Sequence, residues 1–227
     1  MMANKGSSKH MKSLTTSRYY SVHKKERVYV AKPSAGRYTL DRSIPLSAFV
    51  VKAGLSESNH EASRMIKRKE LLVNGRAVRE PTYPVGMSDV VESIPLKKSY
   101  EIGINERGQA TIKDSGKRGR ERICKIVQKY KAGGNTIMIR LHDGTVLRSG
   151  KDTDTNDSVV IDNNEIKRVL KLGSGSRCFV VDGIHVGAAG TVKEMHPGTA
   201  TSKAYVTVEQ AQGGSFDTLL KNIMVVE

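Results

Sequence analysis

Cations set among glycines and small residues are the part of this sequence that could do chemistry, and that chemistry is the electrostatic grip of a phosphate backbone. Lys5, Lys9, His10 and Lys12 are spaced by Gly6, Ser7 and Ser8, which let main chain approach phosphates closely; Arg18, Lys24 and Lys25 follow in the same stretch. Arg64, Lys67 and Arg68 fall on one side of a helical period. Asn74, Gly75 and Arg76 place a cation directly behind a tight turn. In residues 113–122, glycines space a basic run that includes Lys117, Arg118, Arg120 and Arg122. Residues 183–192 differ in kind: Gly183, Gly187 and Gly190, between β-branched and apolar residues, let a chain turn sharply at the rim of a small barrel. Loops of that kind meet RNA or protein.

Other reactive residue types read as structural. His142-Asp143 precedes Gly144, so turn chemistry explains the pair better than acid/base catalysis. Ser174 and Ser176 sit among glycines without a nucleophile elbow or a phosphate loop ending in lysine. Asp152, Asp154 and Asn156 recur every second residue, but the glycine and distal glutamate of a calcium loop are out of register. Cys124 and Cys178 lie far apart, with no C-x-x-C pair and no histidines at ligand spacing, and are expected to be reduced thiols. Neither a metal nor a cofactor nor a small-molecule substrate is expected, and no enzyme activity.

The 227 residues carry 38 Lys and Arg against 23 acids, a formal charge of +15, with three Phe and no Trp to fill a core. That balance suits a polyanionic partner. No apolar run approaches the roughly 18 residues of a spanning helix, and no basic amphipathic stretch is rich in Phe or Leu, which disfavours a membrane partner. The N-terminal cations have no apolar stretch behind them, as a secretory signal would require, so a cytoplasmic location is expected. By segment the charge is +8 over residues 1–42, +1 over 43–93, +7 over 94–172 and −1 over 173–227.

The elements that must position these residues follow the same four segments. Residues 1–42 lack sustained periodicity and form a basic arm, in which Tyr19, Tyr20, Tyr29 and Tyr38 either stack on bases or anchor the arm, anchoring being expected for at least half. In residues 43–93, Pro45 opens a short helix that ends at Gly54. Ser56 or Ser58 caps a second helix over residues 59–69, with Ala62, Met65 and Ile66 on its apolar face. Leu71 to Val78 form a hairpin about Asn74-Gly75. Helix, turn, basic helix and hairpin in that order resemble the alpha-L RNA-binding module.

Residues 94–172 read as a central β domain. One hairpin turns at Asn105-Glu106-Arg107-Gly108, with Ile123, Lys125, Val127 and Lys129 at alternate positions around it; another turns at His142-Asp143-Gly144; residues 152–165 form a turn-rich connection. Residues 173–227, with strands at 204–208 and 223–226, close a last small barrel around the glycine loop. The expected class is α+β and multidomain: an alpha-L module followed by two small, mostly antiparallel β barrels, the last SH3-like.

Beyond architecture, Pro33-Ser34-Ala35-Gly36, residues 83–90 (Tyr-Pro-Val-Gly-Met-Ser-Asp-Val), His142-Asp143-Gly144-Thr145, His196-Pro197-Gly198, Gly214-Ser215-Phe216 and residues 220–223 run collinearly along the chain. With Lys9-His10-Met11-Lys12 and a glycine loop similar to a KOW motif, they resemble archaeal and eukaryotic small-subunit ribosomal protein four across nearly the whole length. The resemblance implies a structural protein on small-subunit ribosomal RNA beside neighbouring ribosomal proteins, not a homo-oligomer. It implies contacts through Lys5, Lys9, His10, Lys12, Arg64, Lys67, Arg68 and Asn74-Gly75-Arg76. Many family members carry a basic residue in the glycine loop; this chain has Ala188, so packing against protein or a shallow RNA contact is expected there. The chain stops soon after Val226, without the longer basic tail of eukaryotic relatives, which implies the archaeal form. The alternatives are a KOW-containing transcription elongation or antitermination factor and, behind it, an RNA-modifying enzyme with an alpha-L module.

Overall fold

Short polar stretches between apolar strands favour burial as small packed sheets, and among the described residues three separate apolar clusters form. The computed structural model describes residues 10–115, 121–150, 152–162, 164–199, 202–210 and 213–226. From residue 10 the arm is tied to the body: β1 (Met11–Lys12) pairs antiparallel with β2 (Tyr29–Val30), and Met11, Tyr19 and Tyr20 join the first apolar cluster. Tyr38 is also buried and donates to the Met87 carbonyl at 3.0 Å, whereas Tyr29 is 58% exposed. Three of the four tyrosines therefore anchor.

The module follows the sequence signals closely. After β3 (Ile44–Pro45), α1 (Leu46–Lys52) buries Leu46, Phe49 and Val50. Its end is a Schellman turn, with Gly54 N–H to Val51 O at 3.0 Å, Leu55 N–H to Val50 O at 3.1 Å, and Gly54 at φ 70°. Helix α2 (Asn59–Lys67) is capped by Ser58, whose hydroxyl accepts from Glu61 N–H. Strands β4 (Leu71–Val73) and β5 (Arg76–Ala77) then form the hairpin, with Asn74 at φ 50° and Gly75 at φ 77°, as a type I′ turn requires.

The expected division between residues 93 and 94 falls inside a sheet. Beyond β6 (Pro84–Val85), which pairs with β3, β7 (Val90–Ser93) pairs with both β4 and β8 (Lys98–Ile104), and β8 pairs with β9 (Ala110–Asp114). The first hairpin of the expected central domain thus completes the module's sheet, in the order β5-β4-β7-β8-β9. Ile102 and Ala110 supply core to the cluster that contains Phe49 and Ile66, so burial draws the hairpin to the helices.

The central barrel starts at β10 (Arg122–Ala132), which does not surround that hairpin. Its first half pairs with β13 (Ser158–Asp162) and its second with β11 (Thr136–Leu141), with a register shift between Ile126 and Gln128 that turns the strand from one partner to the other. Cys124 and Ile126 face the core, while Val127 is 51% exposed. β11 returns through the Asp-Gly turn to β12 (Val146–Arg148), and β13 pairs with β14 (Glu165–Leu170). The connection expected over residues 152–165 is therefore a turn only in part, because Val159 and Ile161 are core residues.

In the last barrel β15 (Arg177–Val180) sits between β16 (Ala189–His196) and β19 (Ile223–Val225), and β17 (Tyr205–Glu209) and β18 (Ser215–Leu219) extend the sheet beyond β16. The glycine loop joins β15 to β16. The whole is α+β, a helical module on one antiparallel sheet followed by two five-stranded antiparallel units.

Candidate nucleic-acid interface

A helix advances 100° per residue, so Arg64, Lys67 and Arg68 lie within about 100° of one another, opposite Ala62 and Ile66. The structure shows the outcome: Ala62 and Ile66 are fully buried, and all three cations are exposed. Glutamates nearby do not cancel that face. Glu61 is turned to the helix start, where its Oε2 accepts from Glu57 N–H, and Glu70 lies 3.9 Å from Arg68 Nη1. A three-residue link carries α2 into β4, and Arg76 stands exposed just past the turn. Asn74, by contrast, is spent inside the protein: Nδ2 donates to Asp89 Oδ1 at 2.7 Å, and Oδ1 accepts from Val90 N–H at 2.9 Å. Its side chain holds the turn and Gly75 shapes it, leaving Arg76 as the hairpin's exposed cation.

In the arm, His10, Lys12, Arg18, Lys24 and Lys25 are exposed, with the His10 ring 5.8 Å from that of Tyr29. Lys5 and Lys9, and Lys117, Arg118 and Arg120 of the basic run, lie outside the described residues.

Arg122 overturns its assignment as a contact. Its side chain is 3% exposed, and Nη1 meets Asp143 Oδ2 at 2.6 Å and Asp89 Oδ1 at 3.7 Å. Arg37 completes the group, with Nη2 at 2.9 Å from Asp89 and Nη1 at 3.4 Å from Asp143. Asp143 further accepts from Thr145 N–H and Oγ1, and Asp89 from Gly86 N–H. Burial alone would raise the Asp143 pKa; Arg122, the Thr145 hydrogen bonds and Arg37 outweigh it and hold the carboxyl below its ordinary value. Two guanidinia and two buried carboxylates thereby clasp arm, module and central barrel together. No sequence signal links residue 37 to residues 89 and 143; only the local Asp143-Gly144-Thr145 turn was legible.

The His142-Asp143 pair is likewise structural. Asp143 faces the clasp, while His142 Nδ1 accepts from Lys125 N–H, and burial lowers the imidazole pKa. Lys125 is a second link that the sequence did not disclose. Its Nζ donates to the Leu220 and Ile223 carbonyls at 2.8 and 2.7 Å, joining the two barrels, and burial brings its pKa down to about 8.

The glycine loop turns toward protein. At Gly187, φ 85°, a Cβ would fall 2.5 Å from Glu106 N in the β8–β9 turn; at Gly190 it would fall 2.5 Å from Glu209 O; at Gly183 it would meet Asn222 Nδ2 at 2.8 Å. Arg42 of the arm pairs with Asp182 at the loop's start. Only the tip projects, with Ile184 95% exposed. Ser176 Oγ caps a turn, accepting from Gly173 N–H and donating to Lys171 O. Among the described residues no group of three His, Cys, Asp or Glu could hold a metal ion.

A model of Ribosomal family S4e matches residues 96–168, and a model of the S4 domain matches residues 44–91. Small ribosomal subunit protein eS4 of Methanococcus vannielii is 31% identical over 238 residues, spanning 99% of this chain and 96% of that protein. Its counterpart in Desulfurococcus amylolyticus is 30% identical, over 99% and 94%. The crystal structure of 30S ribosomal protein S4e from Thermoplasma acidophilum superposes with a TM-score of 0.70 at 25% identity, covering 82% of this chain and 95% of that one. On this full-length likeness, the chain belongs to the S4e family of small-subunit ribosomal proteins.

Proposed function

We propose that this protein is a structural constituent of the small ribosomal subunit, located in the cytoplasm, that binds ribosomal RNA and stabilises its fold during assembly and translation. The observation that carries the reading is the outward face of α2, where Arg64, Lys67 and Arg68 are exposed above a fully buried opposite face. Arg76 and the exposed arm cations are further proposed contacts, as are Lys5, Lys9, Lys117, Arg118 and Arg120. The glycine loop, turned onto the module and its own barrel, is assigned to packing, with its tip open to a neighbouring ribosomal protein. The protein acts as one copy without catalysis.

Ultraviolet cross-linking in the source cells, followed by sequencing of the attached RNA, tests this. Cross-links from peptides spanning residues 10–25 and 64–76 to small-subunit ribosomal RNA are expected. Cross-links spread over nascent transcripts would instead support an elongation or antitermination factor and defeat the ribosomal reading.

A further inference from the structure

A polar cleft of about 360 Å³ opens between the β4–β5 turn and the central barrel, with Arg37, Gly75, Arg76, Tyr83, Arg122 and Asn164 among its walls. Its guanidinia come from three different segments: the arm, the module and β10. Asp89 and Asp143 neutralise Arg37 and Arg122, so the cleft keeps an excess of one positive charge, that of exposed Arg76. Arg37 uses both terminal nitrogens in the clasp, and its buried Nε–H has no acceptor among the described residues. Arg37 belongs to the cleft wall, and an unpaired guanidinium N–H there is matched by an anionic oxygen.

We propose that this cleft is a composite phosphate-binding site for a single phosphodiester of the RNA backbone. One phosphodiester matches the single excess charge, and guanidinium donors suit phosphate oxygens. RNA is the source favoured by the layout: β4 leads from the cationic end of α2 into this turn, so a backbone lying along α2 reaches the cleft by following the hairpin. The site does not exist in the module alone. Arg37 and Asn164 belong to other segments, and the clasp must close to bring them to Arg76. The proposal rests on the ribosomal RNA reading and adds to it a contact that no single segment provides.

The test uses the full chain and deproteinised small-subunit ribosomal RNA, with affinity measured across about 50 to 200 mM salt. Asn164 has φ 69°, a conformation that aspartate also tolerates, so Asn164→Asp adds a negative charge to the cleft without forcing the turn to change. A melting curve matching that of the wild type confirms the variant is folded. About tenfold weaker binding is expected, with the slope of log affinity against log salt shallower by roughly 0.7 to 0.9. Arg76→Gln should lower the slope similarly, and the double variant should lose less than the two singles combined. Wild-type affinity and slope in Asn164→Asp would overturn the phosphate cleft and leave the ribosomal RNA reading standing. Failure of the wild type to prefer this RNA over an unrelated one of equal length would overturn both.

Discussion

The cations of α2 and those of the clasp are alike in chemistry and opposite in use. Arg64, Lys67 and Arg68 face solvent, whereas Arg37 and Arg122 close on two carboxylates that are fully buried. Segment charge conceals both facts. Residues 43–93 sum to only +1 yet present a cationic face, because Glu61 is occupied at the helix start. Residues 94–172 sum to +7, yet Arg122 in that segment is withdrawn from solvent by Asp143. What decides availability is where each acid points.

Removing an acid from each region breaks the comparison most sharply. Asp143→Ala leaves the Arg122 guanidinium buried without its closest partner, and unfolding free energy should fall by about 3–5 kcal/mol. Glu70→Ala, beside exposed Arg68, should change it by less than about 0.5 kcal/mol. Chemical denaturation of both variants checks this, and similar losses in the two would erase the distinction. The clasp also has a pH signature. Because the folded Asp143 pKa is depressed, its contribution is present above its unfolded value near 3.8 and is lost as pH falls below it. Asp143→Asn should flatten that part of the acid limb.

The converse holds for α2. Replacing Arg64, Lys67 and Arg68 together by Ala should leave the denaturation midpoint nearly unmoved. The slope of log RNA affinity against log salt should become shallower by roughly two to three. An unchanged slope would move the grip to the arm or the cleft.

Legibility divides along the same line. Pro45, Gly54, Ser58 and Asn74-Gly75 act on backbone within a few residues of themselves, and each structure they announced is present. The clasp joins residues 52 and 106 positions apart, and nothing local marks such a pairing. The same limit hid the sheet that crosses residue 93. A hairpin announces its own turn, but which sheet it joins is set by whose core its inward residues fill. β10 shows the remaining difficulty: Ile123 and Val127 are apolar, yet Cys124 and Ile126 are the residues that enter the core, and a strand that changes partners does not keep one clean alternation.

Lys125 offers an intermediate case, a buried cation held by carbonyls instead of carboxylates. With its folded pKa near 8 and its unfolded value near 10.5, the unfolded chain binds more protons between those limits, so this group makes the fold more stable as pH rises from about 8 to 10.5. Buried Cys124 and Tyr38, with raised values, act in the opposite direction at high pH. The difference between wild type and Lys125→Met isolates the amine, and it should shift in favour of the wild type by about 2 kcal/mol across that window. A pH-independent difference would mean that Lys125 does not carry the titration.

The smallest effect sets two helix ends against each other. Both α1 and α2 finish in Schellman turns, with Lys69 N–H to Ile66 O at 2.9 Å and Glu70 N–H to Met65 O at 3.1 Å in the second. In α1 the left-handed position is Gly54; in α2 it is Lys69, at φ 61°, where a Cβ costs about 1–2 kcal/mol. Part of that strain returns as lost backbone entropy when glycine is introduced, so Lys69→Gly should stabilise the fold by less than about 1 kcal/mol. The same change removes an exposed cation at the foot of the basic face. If Lys69 meets a phosphate, the salt slope should become shallower by roughly 0.7 to 0.9 while the melting temperature rises. A gain in stability with an unchanged slope would confine the RNA-contacting surface of α2 to Arg64, Lys67 and Arg68.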